Sequence, residues 1–180
     1  MQPQADRARD LARDLLESPL PRRWAHSEGV VRRADALAPV VGDDADLLRA
    51  AAWLHDVGYS PALVATGFHP LDGARYLRDV EHAEPRLCAL VAHHSCALIE
   101  AEERGMSDVL AAEFPPGDVL TDPLIYCDMT TSPDGDCVTF DQRLAEIVSR
   151  YGAGDVVSRA MQRAAPRIRA AIAEVERRIG

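Results

Sequence analysis

The sequence predicts an all-α fold, a single-domain helical bundle. Apolar residues recur at helical spacing along most of the chain, turn chemistry falls between those segments, and alternating strand-like runs are missing. With 180 residues and 47% hydrophobic content, the chain matches one domain with a real core.

The segments follow in order. Ala5 to Glu17 repeats Ala8, Leu11, Ala12, Leu15 and Leu16 at helical spacing, and Ser18-Pro19-Leu20-Pro21 stops it. A second helix is expected from Arg22 to Val41, with Trp24, Val30, Val31, Ala34 and Leu37 inward and Pro39 fraying its end. Gly42-Asp43-Asp44 closes it and caps a third helix, Ala45 to Val57, which is apolar on nearly all sides and therefore central. His55 and Asp56 close that helix. A loop from Gly58 through Gly67 leads to a helix whose first turn suits Pro70 and which ends near Val80. Pro85 opens the helix carrying His93 and His94, and short helices are expected over 97–104 and 108–114. The helix over 118–129 ends in Cys127-Asp128-Met129 before a turn-rich stretch, 130–136. Residues 140–151 and 155–179 are amphipathic. In the latter, Val157, Met161, Ala164, Ile168, Ala171 and Val175 form a seam against another helix, and Pro166 should kink or restart it. That seam makes a homodimer a reasonable expectation.

Charge and composition narrow the function. The formal charge of −9 argues against a general nucleic-acid surface, which needs a clustered basic face. All 20 basic residues are arginine, so Schiff-base and P-loop lysines are excluded, and phosphate chemistry must rely on arginine, metal or helix N-termini. Cys88, Cys96, Cys127 and Cys137 have no C-x-x-C spacing and read as reduced thiols. The N-terminus carries no apolar leader and no run is long enough for a membrane span, so a cytoplasmic location without membrane association is expected.

Two strings carry the chemistry: His55-Asp56 within Ala51-Ala52-Trp53-Leu54-His55-Asp56-Val57-Gly58, and His93-His94 within Leu90-Val91-Ala92-His93-His94-Ser95. Both set metal-ligating side chains in apolar surroundings, where unpaired polar groups are costly and a bound cation offsets the cost. His26, His55, Asp56, His69, His93, His94 and Asp128 form a His and Asp mixture suited to a first-row divalent ion (Mn, Fe, Co, Ni or Zn). His82 sits in a polar turn and reads as solvated.

In these residues the sequence resembles the HD-domain superfamily of metal-dependent phosphohydrolases. The resemblance runs over about residues 22–135: a histidine in His26-Ser27-Glu28-Gly29-Val30, the His55-Asp56 doublet, His69 ahead of Gly73-Ala74, His94-Ser95, and the distal Asp128. It implies an HD-type domain spanning 1–180, with helices over 140–180 packed on the motif region. One or two divalent ions are implied, the first held by His26, His55, Asp56 and Asp128 and the second by Asp56, His69 and His94. His93 stands as either a ligand or a supporting group. The implied reaction is cleavage of a small nucleotide-like phosphoester by a metal-activated water, with Asp56 and His55 as the catalytic doublet and no nucleic-acid polymer as partner. Two other HD-type activities stay open: a di-iron oxygenase, and a non-catalytic scaffold binding a ligand or protein. Arg22, Arg23 and Arg75 lie closest in sequence to His26 and His69 and are candidates for substrate phosphate. Thr130 and Thr131 are candidate hydroxyl donors after the Asp128 helix, and Tyr59 is a candidate for the entrance.

Overall fold

The computed structural model describes residues 4–180. Met1 to Pro3, part of the N-terminal stretch read above as lacking a leader, lie outside the described residues. The elements are α1 (Gln4–Leu16), α2 (Pro21–Ala36), α3 (Ala38–Val41), α4 (Ala45–Leu54), α5 (His69–Asp79), α6 (Pro85–His93), α7 (Ala97–Glu103), α8 (Ser107–Glu113), α9 (Thr121–Met129), α10 (Phe140–Tyr151) and α11 (Val156–Ile179). The fold is all-α; among the described residues the only β pairing is one bridge between Thr131 and Cys137.

Helix α4 is the hub, packing against α1, α2, α6 and α9. Its small Ala50, Ala51 and Ala52, all fully buried beside Leu47, Leu48 and Leu54, let neighbouring helices approach closely. A second apolar cluster joins α9, α10 and α11 through Ile125, Met129, Phe140, Ile147, Met161 and Ile168. Helix α9 serves both: Leu124 and Cys127 face the first cluster, Ile125 and Met129 the second. Asp128 therefore sits where the two clusters meet.

Three boundaries differ from the sequence expectation. The second helix stops at Ala36 and a separate turn, α3, follows Leu37. Pro39 accounts for this, because it has no N–H to donate to the turn before it. The third helix ends at Leu54, and a 3-10 turn over Val57–Tyr59 follows His55 and Asp56. Helix α11, by contrast, runs through Pro166 from Val156 to Ile179. Pro166 and Gln162 are both exposed, so the carbonyl deprived of its donor faces water. The α11 seam is consumed within the chain, since Met161, Ala164, Ile168 and Ala171 pack in the second cluster and Val175 in the first. It no longer argues for a homodimer.

Among the described residues no helix is long and apolar enough to cross a membrane. All four cysteines are free.

Candidate metal centre

Five elements deliver the cluster. His26 lies on the buried side of α2, His55 and Asp56 follow the last turn of α4, His69 opens α5, and Asp128 sits in the last turn of α9. His94 leaves α6 with an extended backbone (φ −60°, ψ 148°), which swings its ring away from the course of the helix.

Backbone carbonyls orient three of the histidine rings. A carbonyl oxygen only accepts, so Nδ1 of His55 donates to Ala52 O (2.8 Å), Nδ1 of His94 to Val91 O (2.7 Å) and Nδ1 of His26 to Ser132 O (2.9 Å). That leaves Nε2 as the ligating edge of each ring. These Nε2 atoms, with that of His69, converge on two carboxylates. His26 Nε2 lies 2.9 Å from Asp128 Oδ1, and His55 Nε2 lies 3.6 Å from Asp56 Oδ2 and 3.7 Å from Asp128 Oδ1. On the other side, His69 Nε2 is 3.4 Å and His94 Nε2 3.8 Å from Asp56 Oδ1, and the two Nε2 atoms are 3.1 Å apart. His55 Nε2 is buried with no hydrogen-bond partner. An orphaned lone pair among acceptors fits a cation and little else.

Two groupings satisfy the spacing of a metal site: His26, His55 and Asp56, and Asp56, His69 and His94. Asp56 belongs to both, one oxygen facing each. Asp128 completes the first side through its approach to His26 and His55, and its second oxygen accepts from the Ser95 hydroxyl. Ser95 and the following Cys96 adopt left-handed backbone, at φ 48° and 61°, a costly conformation for residues bearing a side chain.

Electrostatics favour the ligating protonation states. Burial opposes ionisation of Asp56, yet His55, Arg23 and His69 outweigh it and hold the carboxyl well below the usual range. Burial likewise opposes ionisation of Asp128, but the His26 hydrogen bond and nearby positive charge, including Arg143, keep it ionised. Burial pushes His69 down to about 3, only partly offset by Asp56, and also lowers His94. Ionised Asp56 beside His69 and His94 held neutral by burial is what a divalent cation requires on that side.

A narrow cleft of about 60 Å³ opens onto the cluster, with Arg23, Tyr59, His69, Arg143, Arg150 and Tyr151 among its walls. Arg23 donates to Asp56 Oδ2 (2.8 Å) and to the Tyr151 hydroxyl (3.3 Å), and lies 3.7 Å over the Tyr59 ring, which itself stacks on His69. A larger open hollow beside His82, lined by Arg7, Asp46, Leu77 and Glu84, gathers no metal-type grouping among the described residues.

Several candidates lie apart from the cluster. His93 points the other way, its Nε2 donating to Phe114 O at 2.7 Å, because adjacent helical residues diverge around the axis. Arg75 is forked onto Glu113 (Nε to Oε2 3.0 Å) and does not line the cleft. Arg22 pairs with exposed Asp134 at 2.8 Å, at the rim of a smaller adjoining pocket. Thr130 and Thr131 turn their hydroxyls back to the carbonyls of Tyr126 (2.6 Å) and Cys127 (2.7 Å), as hydroxyls at helix ends do, and so do not face the cleft. Arg143, Arg150 and Tyr151 were not singled out in the sequence. They come from α10, far along the chain, and only the density of arginine on an amphipathic helix marks them.

Fold and site together define a helical protein with a buried His and Asp centre of the kind that holds divalent cations. The HD domain family matches residues 23–121, more than half of the chain, and the chain belongs to that family. The matched stretch ends before Asp128 and before α10. The chain is also 34% identical over 88 residues to Ribonuclease Y of Rubrobacter xylanophilus, an alignment covering 49% of this chain and 16% of that protein. No solved structure matches the chain.

Proposed function

We propose that this chain is a metal-dependent phosphohydrolase that cleaves a small phosphoester. The observation that carries the reading is the convergence of four histidine Nε2 atoms, three of them on rings oriented by Nδ1 hydrogen bonds, on Asp56 and Asp128 at the floor of an arginine-walled cleft. His26, His55, Asp56 and Asp128 would hold one ion, and Asp56, His69 and His94 a second. A divalent ion bound there supplies Lewis acidity toward phosphoryl oxygens and lowers the pKa of water.

The chain's own residues do the rest. Asp56 and Asp128 set the negative charge that selects a cation, and the carbonyls of Ala52, Val91 and Ser132 orient the rings. Arg23 holds Asp56 in place and brings fixed positive charge to the cleft. Tyr59, stacked between Arg23 and His69, closes one wall against water. A cleft this narrow, on a chain of charge −9, favours a small phosphoester over a polymer. The matched relative is named as a ribonuclease, so short RNA belongs among the substrates assayed.

The test is metal content of protein purified without chelator, followed by phosphate release from nucleotides, dinucleotides and short RNA, with and without oxygen. About two ions per chain and oxygen-independent release are expected. Bound metal with oxygen-dependent turnover and no phosphate release would replace hydrolysis by oxygenation, and failure to hold metal on reconstitution would leave a scaffold.

A further inference from the structure

Helix α10 brings two arginines whose hydrogen-bonding capacity the metal centre does not use. Arg143 is 5% exposed, and its Nε is buried without any acceptor. Its Nη1 donates to Glu146 Oε2 at 2.7 Å, while Arg150 Nε lies 3.3 Å from the other oxygen of the same carboxylate. Two guanidinium groups thus share one acidic partner. Both side chains wall the main cleft and also the small adjoining pocket, about 30 Å³, lined by Arg22, Arg23 and His26. Elsewhere in the cleft the charges are matched, Arg23 by Asp56 and Glu100 by Arg104.

A buried guanidinium with an idle donor is costly unless an acceptor arrives. With Nη1 committed to Glu146, the free edge of Arg143 is the Nε and Nη2 side, a planar fork that matches two oxygens of one phosphate.

We propose that Arg143, seconded by Arg150, is the phosphate-binding residue of the cleft, with Glu146 holding both guanidiniums in place and competing for them until substrate enters. The inference rests on the phosphohydrolase reading for the reaction, but the anion site itself is measured separately. Because α10 lies beyond the stretch matched by the family, the proposal assigns substrate recognition to a part of the chain outside that stretch.

The experiment is calorimetric titration of inorganic phosphate into the protein, both manganese-loaded and metal-free, with metal content and helical circular dichroism recorded for each variant. Arg143→Met should weaken phosphate binding by about tenfold or more while leaving metal content unchanged, and Arg143→Lys, which keeps charge but not the fork, should recover only part of it. Glu146→Gln should tighten binding severalfold, a result that a purely structural Arg143 would not give. Arg150→Ala should weaken it by less than Arg143→Met. If Arg143→Met misfolds, Glu146→Gln and Arg150→Ala decide the matter. Phosphate affinity unchanged within about twofold in Arg143→Met, weaker binding in Glu146→Gln, or a wild type that binds no phosphate in either form would overturn the proposal. Phosphate binding lost in Arg143→Met in a protein that hydrolyses nothing would sustain the anion site and remove the hydrolase reading.

Discussion

Asp56 concentrates more of the site's electrostatics than any neighbour. One oxygen faces His69 and His94, and the other takes the Arg23 hydrogen bond and faces His55. Asp56→Asn keeps the shape and removes the charge, so metal retention should fall below one ion per chain with helical dichroism preserved; unchanged metal content would refute the shared-ligand reading. Gly58 matters for a different reason. A Cβ there would lie 2.0 Å from His69 O and 2.7 Å from Gly73 N, both backbone atoms that cannot rotate away. Gly58→Ala should therefore destabilise by roughly 1–3 kcal/mol and displace His69, lowering both melting temperature and metal stoichiometry. The side chains that the fold gathers were largely legible in the sequence, because His and Asp in apolar helical runs need partners. Which of His93 and His94 turns inward was not, since that depends on where α6 ends. Tyr151 was invisible because its partner is distant in sequence: it meets Arg23 across 128 positions.

Helices were legible as segments and less so at their ends. Periodicity places α10 and α11 closely, and Asp155, whose side chain accepts from Val157 N at 2.8 Å, caps α11. It could not show that α5 and α8 are tied by charge. Arg75 and Arg78 both reach Glu113, and the Arg75 hydrogen bond, against a smaller opposing effect of burial and with help from Arg78, pulls the Glu113 carboxyl from 4.5 down to about 2. A depressed folded-state pKa stabilises fully above the unfolded value and is lost as pH falls toward the folded one. The contribution is thus present at neutral pH and fades between about pH 5 and 2; these groups are a quarter or more exposed, which limits it to under about 1 kcal/mol. Glu113→Gln should melt lower than wild type at pH 7 and converge with it near pH 2, by thermal scans across pH. Parallel curves would show that the pair contributes nothing. Arg75→Ala should leave phosphate affinity unaltered, since its guanidinium serves this tie and not the cleft.

At the scale of the whole molecule, the site lies on the seam between two apolar clusters, and α9 belongs to both. His26, His55, His69 and His94 come from elements of the first cluster or the turns beside it, whereas Arg143, Arg150 and Tyr151 come from α10 in the second. Asp128 belongs to the helix that joins them. If the clusters unfolded independently, the cleft wall would part from the metal centre while the centre stayed folded. The shared helix argues for the opposite: exposing Ile125 and Met129 would strip one face of α9 and loosen Leu124 and Cys127 on the other, so residues 4–180 should unfold as one cooperative unit. Trp24 and Trp53, stacked with ring centroids 5.0 Å apart in the first cluster, report that half alone, while far-ultraviolet dichroism reports every helix. Tryptophan fluorescence and dichroism should therefore give coincident denaturant transitions, and added divalent metal should shift both together. A dichroism transition that begins before the tryptophan signal moves would mean that α10 and α11 detach first, and the arginine wall would then be a separable cover over the metal centre.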